Sequence, residues 1–291
     1  MLPSWDLLQT VIGIAREAGT QIMAVYDKGS VLGADIGIQT KRDDSPLTQA
    51  DLRAHNVILS ALQQLAFDVP VLSEESELLS YNIRRTWQTY WLVDPLDGTK
   101  EFISRNGEFT VNIALIHQGE PVLGVVYVPV TGVCYAGLMS GADSGAWKLQ
   151  TGGSDVEPIK TASRQDLLGW SDKTIRVVAS RRHGSDQFES VLAKLSERVA
   201  AVELVRVGSS LKICLIAEGK ADLYLRFGPT SEWDTAAAHA VLRAAGGDIV
   251  SETFDPLVYN GKDSILNPSF MALAGPPMPW KRLLSGLLIS E

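Results

Sequence analysis

Apolar residues near the N-terminus recur at helical spacing. Leu8, Val11, Ile12, Ala15, Ala18, Ile22 and Tyr26 fall on one face of a helix predicted over residues 7–26, with Ser4 as its cap. A second helix is predicted from Thr48 to about residue 66. The Thr48 hydroxyl can cap it, and Asp51, three residues on, sits in the first turn, where a carboxylate is favoured by the helix dipole. Two short apolar runs, 69–72 and 90–93, read as strands, and acidic residues follow both. From Phe109 to Gln150 the chain is rich in Val, Ile and Tyr and broken at Gly119-Glu120-Pro121 and Pro129-Val130-Thr131-Gly132, the pattern of antiparallel strands joined by tight turns.

The polar stretch from Gly152 to Asp172 has the composition of a long surface connection. A soft boundary there divides the chain into halves 1–152 and 153–291 of one compact unit. The second half alternates strand (175–179), helix (185–198), strand (202–207), helix (209–218), strand (223–227) and helix (233–245), which argues for helices layered on a sheet. The final segment, 280–289, reads as a short amphipathic helix carrying Lys281 and Arg282; docking on the body is the first reading, a membrane-surface contact the alternative.

Charge narrows the partners. A formal charge of −8 gives no overall positive field for a nucleic-acid backbone, so an anionic ligand must meet locally placed cations. The longest apolar stretches, such as 122–130, are about half of what a membrane-spanning helix needs. The N-terminus lacks a positive region followed by an apolar one, so secretion is not expected. The cytoplasm is the default compartment, with peripheral association at the inner face of the membrane left open. Cys134 and Cys214 each lie in an apolar run and read as buried free thiols. The oligomeric state, monomer or homodimer, is not fixed.

Three acidic segments carry the candidate chemistry. In Asp94-Pro95-Leu96-Asp97-Gly98-Thr99 two carboxylates stand three residues apart where an apolar strand stops; Pro95 fixes one backbone angle and Gly98 permits a sharp turn. Such a turn can aim both carboxylates and the Leu96 carbonyl at one point, an all-oxygen arrangement suited to magnesium, although the same residues also make an ordinary turn. Ser73-Glu74-Glu75-Ser76 follows a strand and is either a ligand-binding edge or a solvated loop. Asp234, at the head of the Ala-rich helix, is either a ligand or a plain first-turn residue.

In this order, with Asp51 upstream, the segments resemble the inositol monophosphatase-like superfamily of lithium-sensitive, magnesium-dependent phosphatases. Its Glu-Glu-Ser, Asp-Pro-x-Asp-Gly-Thr and Trp-Asp-x-Ala-Ala motifs are matched at residues 74–76, 94–99 and 233–237. Within it the chain is most similar to the CysQ-type 3′(2′),5′-bisphosphate nucleotidases, through Lys41, Ser45-Pro46-Leu47-Thr48 and Asp51, through Lys100-Glu101-Phe102, and through residues 208–212 and 224–230. Ser73 and Ala238 depart from the family pattern, each standing where Gly is common; Ala238 is expected to narrow the space beside the substrate.

The resemblance implies an α/β (α+β layered) αβαβα sandwich. It implies that Glu74, Asp94, the Leu96 carbonyl, Asp97 and Asp234 hold roughly two or three magnesium ions. Asp51, Thr99 and Glu74 would orient a metal-activated water and take its proton. The substrate would meet Leu96, Asp97, Gly98, Thr99, Lys100, His183, Ser209, Ser210, Lys212, Arg226 and Asp234. The implied reaction is hydrolysis of the 3′-phosphate of adenosine 3′,5′-bisphosphate, giving AMP and phosphate, with the adenylylsulfate analogue as a second ester and inhibition by lithium. An inositol monophosphatase, or a non-catalytic magnesium-dependent nucleotide-binding protein, are the alternatives; loss of an acidic ligand or of Thr99 would have signalled the latter, and none is lost. No Walker A, Gly-x-Gly-x-x-Gly, His-Glu-x-x-His or Gly-x-Ser-x-Gly segment points to other chemistry.

Overall fold

Ser4 caps helix α1 (Trp5–Lys28) by accepting the Leu7 N–H at 3.2 Å, and every apolar position of the predicted stripe is buried. The computed structural model describes residues 3–29, 37–40, 46–65, 69–152, 155–162, 170–181 and 185–288. A strand pair, β1 (Gln39–Thr40) and β2 (Pro46–Leu47), leads to α2 (Gln49–Gln63), opened by the expected reciprocal capping of Thr48 and Asp51. There follow β3 (Val71–Ser73), α3 (Tyr81–Arg84), β4 (Thr89–Asp97), α4 (Thr99–Ile103), β5 (Thr110–His117), β6 (Glu120–Val128), β7 (Val133–Leu138), β8 (Gly145–Gln150) and β9 (Val156–Pro158). Strands β3 to β9 form one sheet in chain order; β3 and β4 run parallel and every later pair is antiparallel. Strand β9 lies past residue 152 and pairs with β8, so residues from both halves of the chain share this sheet.

The second half contains β10 (Thr174–Ala179), α5 (Asp186–Ser196), β11 (Ala201–Arg206), α6 (Leu211–Ala217), β12 (Leu223–Arg226), α7 (Glu232–Ala244), β13 (Asp248–Ser251), β14 (Phe270–Leu273) and α8 (Pro277–Leu284). Its sheet has the order β11-β10-β12-β14-β13. The alternating strands β10, β11 and β12 are parallel, as strand–helix–strand connections require, while β13 and β14 add an antiparallel edge that the sequence reading did not contain. Helix α8 docks on the body: Trp280 is fully buried and donates its Nε1–H to the Ala274 carbonyl at 2.8 Å, and Leu283 and Leu284 are buried. Among the described residues no helix is long and apolar enough to cross a membrane.

Alternation along the strands makes the layers. In β4, Trp91 and Val93 enter the core shared with α1 and α2, whereas Tyr90 and Leu92 enter the core shared with α6, α7 and the second sheet. The result is helix pair, sheet, helix pair, sheet and outer helices α5 and α8, the expected αβαβα sandwich. Helix α7 crosses the first sheet along a register row of small residues, Ala114, Gly124, Gly137 and Ala146. A Cβ on Gly124 would overlap the Ala237 carbonyl oxygen, and one on Gly137 would stand 2.5 Å from the Val241 Cα. These two positions therefore set how closely the helix lies on the strands.

Gly137→Ala is expected to destabilise the fold by about 1–3 kcal/mol, because helix backbone rather than a flexible side chain must give way. Urea unfolding at constant m-value measures it. An unchanged midpoint would show that the close approach is not required.

Candidate active site

Parallel pairing places Ser73 beside Val93, and the Glu74 N–H continues the ladder to the Val93 carbonyl at 3.1 Å, so Glu74 and Asp94 emerge side by side. The strand was expected to stop at Val93, with a turn at Pro95. It runs on instead to Asp97. Asp94 pairs with Asn112 and Asp97 with Thr110, so Pro95 and Leu96 lie opposite Val111 alone, a β-bulge that accommodates the missing proline N–H and bends the strand end. The Leu96 N–H donates to Asp94 Oδ1 at 3.0 Å, and Gly98, at φ 90°, turns the chain into α4.

Asp234 arrives from the opposite side, at the third position of α7, where its Oδ2 accepts the Ser231 N–H at 2.8 Å. One carboxylate oxygen each from Glu74, Asp94 and Asp234 lie within 4.8 Å of one another. Asp97 adjoins them, its Oδ2 accepting the Ser210 N–H at 2.6 Å and the Ser210 O–H at 2.8 Å. Burial, and then the charges of Glu74, Asp97 and Asp234, hold the Asp94 carboxyl well above the usual carboxylate range. Burial, followed by the charge of Asp97, does the same to Asp234. Converging carboxylates, of which Asp94 is buried and Glu74 and Asp234 partly so, with no histidine or cysteine among them, form a donor set for a hard divalent cation, which would offset the desolvation and the repulsion that raise these two groups. Glu74, Asp94 and Asp234 thus fit such an ion, with Asp97 beside them.

Asp51 has two roles in one geometry. Its Oδ2 accepts from the Thr48 N–H at 2.8 Å and the Thr48 O–H at 2.6 Å, completing the helix cap, while its Oδ1 accepts the Thr99 O–H at 3.2 Å. The helix-start reading and the catalytic reading of Asp51 are therefore not exclusive. The Leu96 carbonyl lies 3.5 Å from Thr99 Oγ1.

Beside the acidic cluster opens a cavity of about 570 Å³, lined by Asp97, Gly98, Lys100, Ser209, Ser210, Lys212, Arg226 and Asp234 among the expected residues, and by Phe188, Tyr224, Phe227 and Phe270. Lys212 donates from Nζ to the Ser209 carbonyl at 2.8 Å and lies 5.7 Å from the Tyr224 ring centre; burial lowers its pKa, against the pull of Asp97. Arg226 donates to the carbonyls of Gly228, at 3.1 Å, and Pro229, at 2.9 Å. Ser209 sits at φ 46°, and its Oγ is buried with no hydrogen-bond partner among the described residues. Ser210 lines the cavity, and its hydroxyl has Asp97 Oδ2 at 2.8 Å and the Asp234 carbonyl at 2.7 Å as acceptors for its one proton.

His183 and Arg182 lie outside the described residues, as do Lys41 and Ser45. Arg181, beside Arg182 in the chain, forms a bidentate pair with Glu108 at 2.5 and 2.7 Å, and Glu108 also accepts the Gly208 N–H. Ala238 does not narrow the cavity as expected: it is fully buried in the core, because the helix turn carries it toward the sheets. Ser73, the other departure, places its Oγ 2.9 Å from His55 Nδ1 and so ties α2 to the end of β3. The sequence reading missed Asn112, a polar residue within the apolar run from Val111 to Ile116, which donates to Ser210 Oγ at 2.9 Å.

Residues 6–278 match the model of the inositol monophosphatase family. The chain belongs to that family. It is 48% identical over 264 residues to the 3′(2′),5′-bisphosphate nucleotidase CysQ of Shigella flexneri, covering 91% of this chain and 98% of that one. It is 40% identical to the CysQ of Buchnera aphidicola, covering 92% and 94%. Among solved structures, CysQ from Bacteroides thetaiotaomicron superposes with a TM-score of 0.77 at 42% identity, over 92% of this chain and 97% of that one. The suhB protein of Bartonella henselae, at 24% identity, 97% and 99% coverage and a TM-score of 0.73, shares the fold. The family is metal-dependent, in agreement with the acidic cluster.

Folded-state pKa values above the unfolded value mean that the folded chain binds more protons, so Asp94 and Asp234 make stability fall as pH rises above about 4. In chelator, Tm is expected to drop between weakly acidic and neutral pH. Magnesium should raise Tm at neutral pH and hardly at all near pH 4, as calorimetry can test; a metal-free Tm that climbs with pH would contradict the carboxylate repulsion.

Proposed function

We propose that this chain is a magnesium-dependent 3′(2′),5′-bisphosphate nucleotidase that removes the 3′-phosphate of adenosine 3′,5′-bisphosphate, leaving AMP and inorganic phosphate. The observation that carries the reading is the pairing of the carboxylate cluster with Lys212 and Arg226 across one cavity, in a chain 48% identical to a nucleotidase of that name. Two anionic groups on one small molecule match a site with two separate centres of positive charge, one metallic and one from side chains.

Glu74, Asp94, Asp97 and Asp234, with the Leu96 carbonyl, would hold magnesium, which supplies Lewis acidity toward the phosphoryl group and toward water. The remaining steps belong to the protein. Asp51 Oδ2 accepts from both donors of Thr48, and Oδ1 faces the Thr99 hydroxyl and accepts its proton. A water at Thr99 Oγ1 can then pass its own proton to the hydroxyl as it attacks phosphorus, with Asp51 as terminal base, while the bond from phosphorus to the ribose 3′-oxygen breaks and the leaving oxygen takes a proton from a second water. Glu74, at the neighbouring strand end, would help to orient that water. Lys100, Lys212, Arg226 and the unpartnered Ser209 hydroxyl supply donors for phosphate oxygens, and the aromatic residues of the cavity supply apolar area for a base.

Phosphate release from adenosine 3′,5′-bisphosphate and from inositol 1-phosphate, compared side by side with magnesium present, tests the assignment. The bisphosphate is expected to be strongly preferred, lithium to inhibit, Thr99→Ala to lower kcat by about 10² to 10⁴, and Lys212→Ala or Arg226→Ala to raise KM at least about tenfold. Rapid turnover of inositol 1-phosphate without turnover of the bisphosphate would replace this reading with an inositol monophosphatase. Binding of the nucleotide with no phosphatase rate sensitive to Asp97→Asn would replace it with a binding protein.

A further inference from the structure

We infer that Ser210 is the positioning residue that fixes Asp97 for magnesium, and that Asn112 sets Ser210 in turn. The inference rests on the reading that the carboxylate cluster holds that ion. A carboxylate on a single Cβ rotates readily, and Asp97 is half-buried at the lip of a cavity, where rotation would scatter its oxygens. Two donors from one residue prevent this: the Ser210 N–H at 2.6 Å and its O–H at 2.8 Å both meet Oδ2, leaving Oδ1 as the oxygen available to a cation.

A serine hydroxyl has one proton and can turn it in several directions. Here the direction is imposed. The Asn112 Nδ2–H donates to Ser210 Oγ at 2.9 Å, so the serine proton must point away from β5; of the two acceptors on that side, the Asp97 carboxylate is charged and takes it in preference to the Asp234 carbonyl at 2.7 Å. The Asn112 amide is itself oriented, because the Thr110 hydroxyl donates to its Oδ1 at 3.1 Å and fixes the nitrogen on the serine side. Asn112 is 1% exposed and stands opposite Asp94 in the sheet register. The relay from Thr110 through Asn112 and Ser210 thus joins the first sheet, the start of α6 and the backbone of α7 at the point where their carboxylates meet.

Isothermal titration of magnesium into the metal-free protein tests this without recourse to turnover. Ser210→Ala, which keeps the N–H and loses the hydroxyl, is expected to weaken magnesium binding by about tenfold, the usual range for partners that orient a metal ligand. Asn112→Ala is expected to weaken it less, and the double variant to bind no worse than Ser210→Ala alone, since Asn112 acts through the serine. Unfolding in chelator reports the integrity of the fold separately; should Ser210→Ala not fold, Asn112→Ala decides alone, and wild-type affinity in it overturns the inference. Wild-type affinity in Ser210→Ala, or losses that multiply in the double variant, would also overturn it. If the unaltered protein took up no magnesium, the metal reading itself would fall, a result distinguishable from the failure of Ser210 alone.

Discussion

Helix α7 can present Asp234 to the ends of β3 and β4 only because a row of small residues lets its backbone lie against the first sheet. Ala114, Gly124, Gly137 and Ala146 form the floor of that groove, and Ala237, Ala240 and Val241 lie against it. Interiors pack at crystal-like density, so a methyl group added to the floor moves the whole helix rather than one side chain. Helix position, Asp234 position and the spacing of the carboxylates are therefore one constraint. The second sheet packs over the same helix, which is why residues distant in the chain share one core.

That constraint places like charges where water would otherwise separate them. The structure offsets part of the repulsion with directed donors: Leu96 N–H to Asp94, Ser231 N–H to Asp234, and both donors of Ser210 to Asp97. These donors compensate the carboxylates only in part, and Asp94 and Asp234 stay well above the usual carboxylate range. A backbone donor costs no side-chain entropy to hold in place, so the arrangement is preorganised before any cation arrives. Asp51 is handled in the same way, one oxygen fixed by Thr48 and the other left for Thr99.

Much of this was legible in the sequence, and what was not has identifiable causes. The period of α1, the capping pair Thr48 and Asp51, and the strand–helix alternation from residue 174 are local signals, and the structure follows them closely. Strands β13 and β14 have four residues each and owe their existence to pairing with each other and with β12, so no local pattern announces them. The bulge at Pro95 reads as a turn because proline and glycine mark both, and only the pairing partners Thr110 and Asn112 distinguish them. The acidic segments were individually ambiguous; their convergence is tertiary and was reached from the sequence through family resemblance rather than spacing. Asn112 could have been singled out as a polar side chain within the run from Val111 to Ile116, since a strand buried on both faces tolerates such a residue only when it is bonded.

The cations complete the argument for selectivity. In a chain with net charge −8, Lys212 and Arg226 gain little from the overall field and act through local placement. Each is anchored by backbone carbonyls, Lys212 through that of Ser209 and Arg226 through those of Gly228 and Pro229, which orders the long side chains in advance. Burial already opposes the charge on Lys212, so on the proposed function an ester without a second anionic group would leave that ammonium poorly compensated. A bisphosphate would relieve the penalty and a monophosphate would not. Discrimination of this kind comes from the charge left unpaired by the wrong ligand, and it is stronger than what extra contact area with the base could provide.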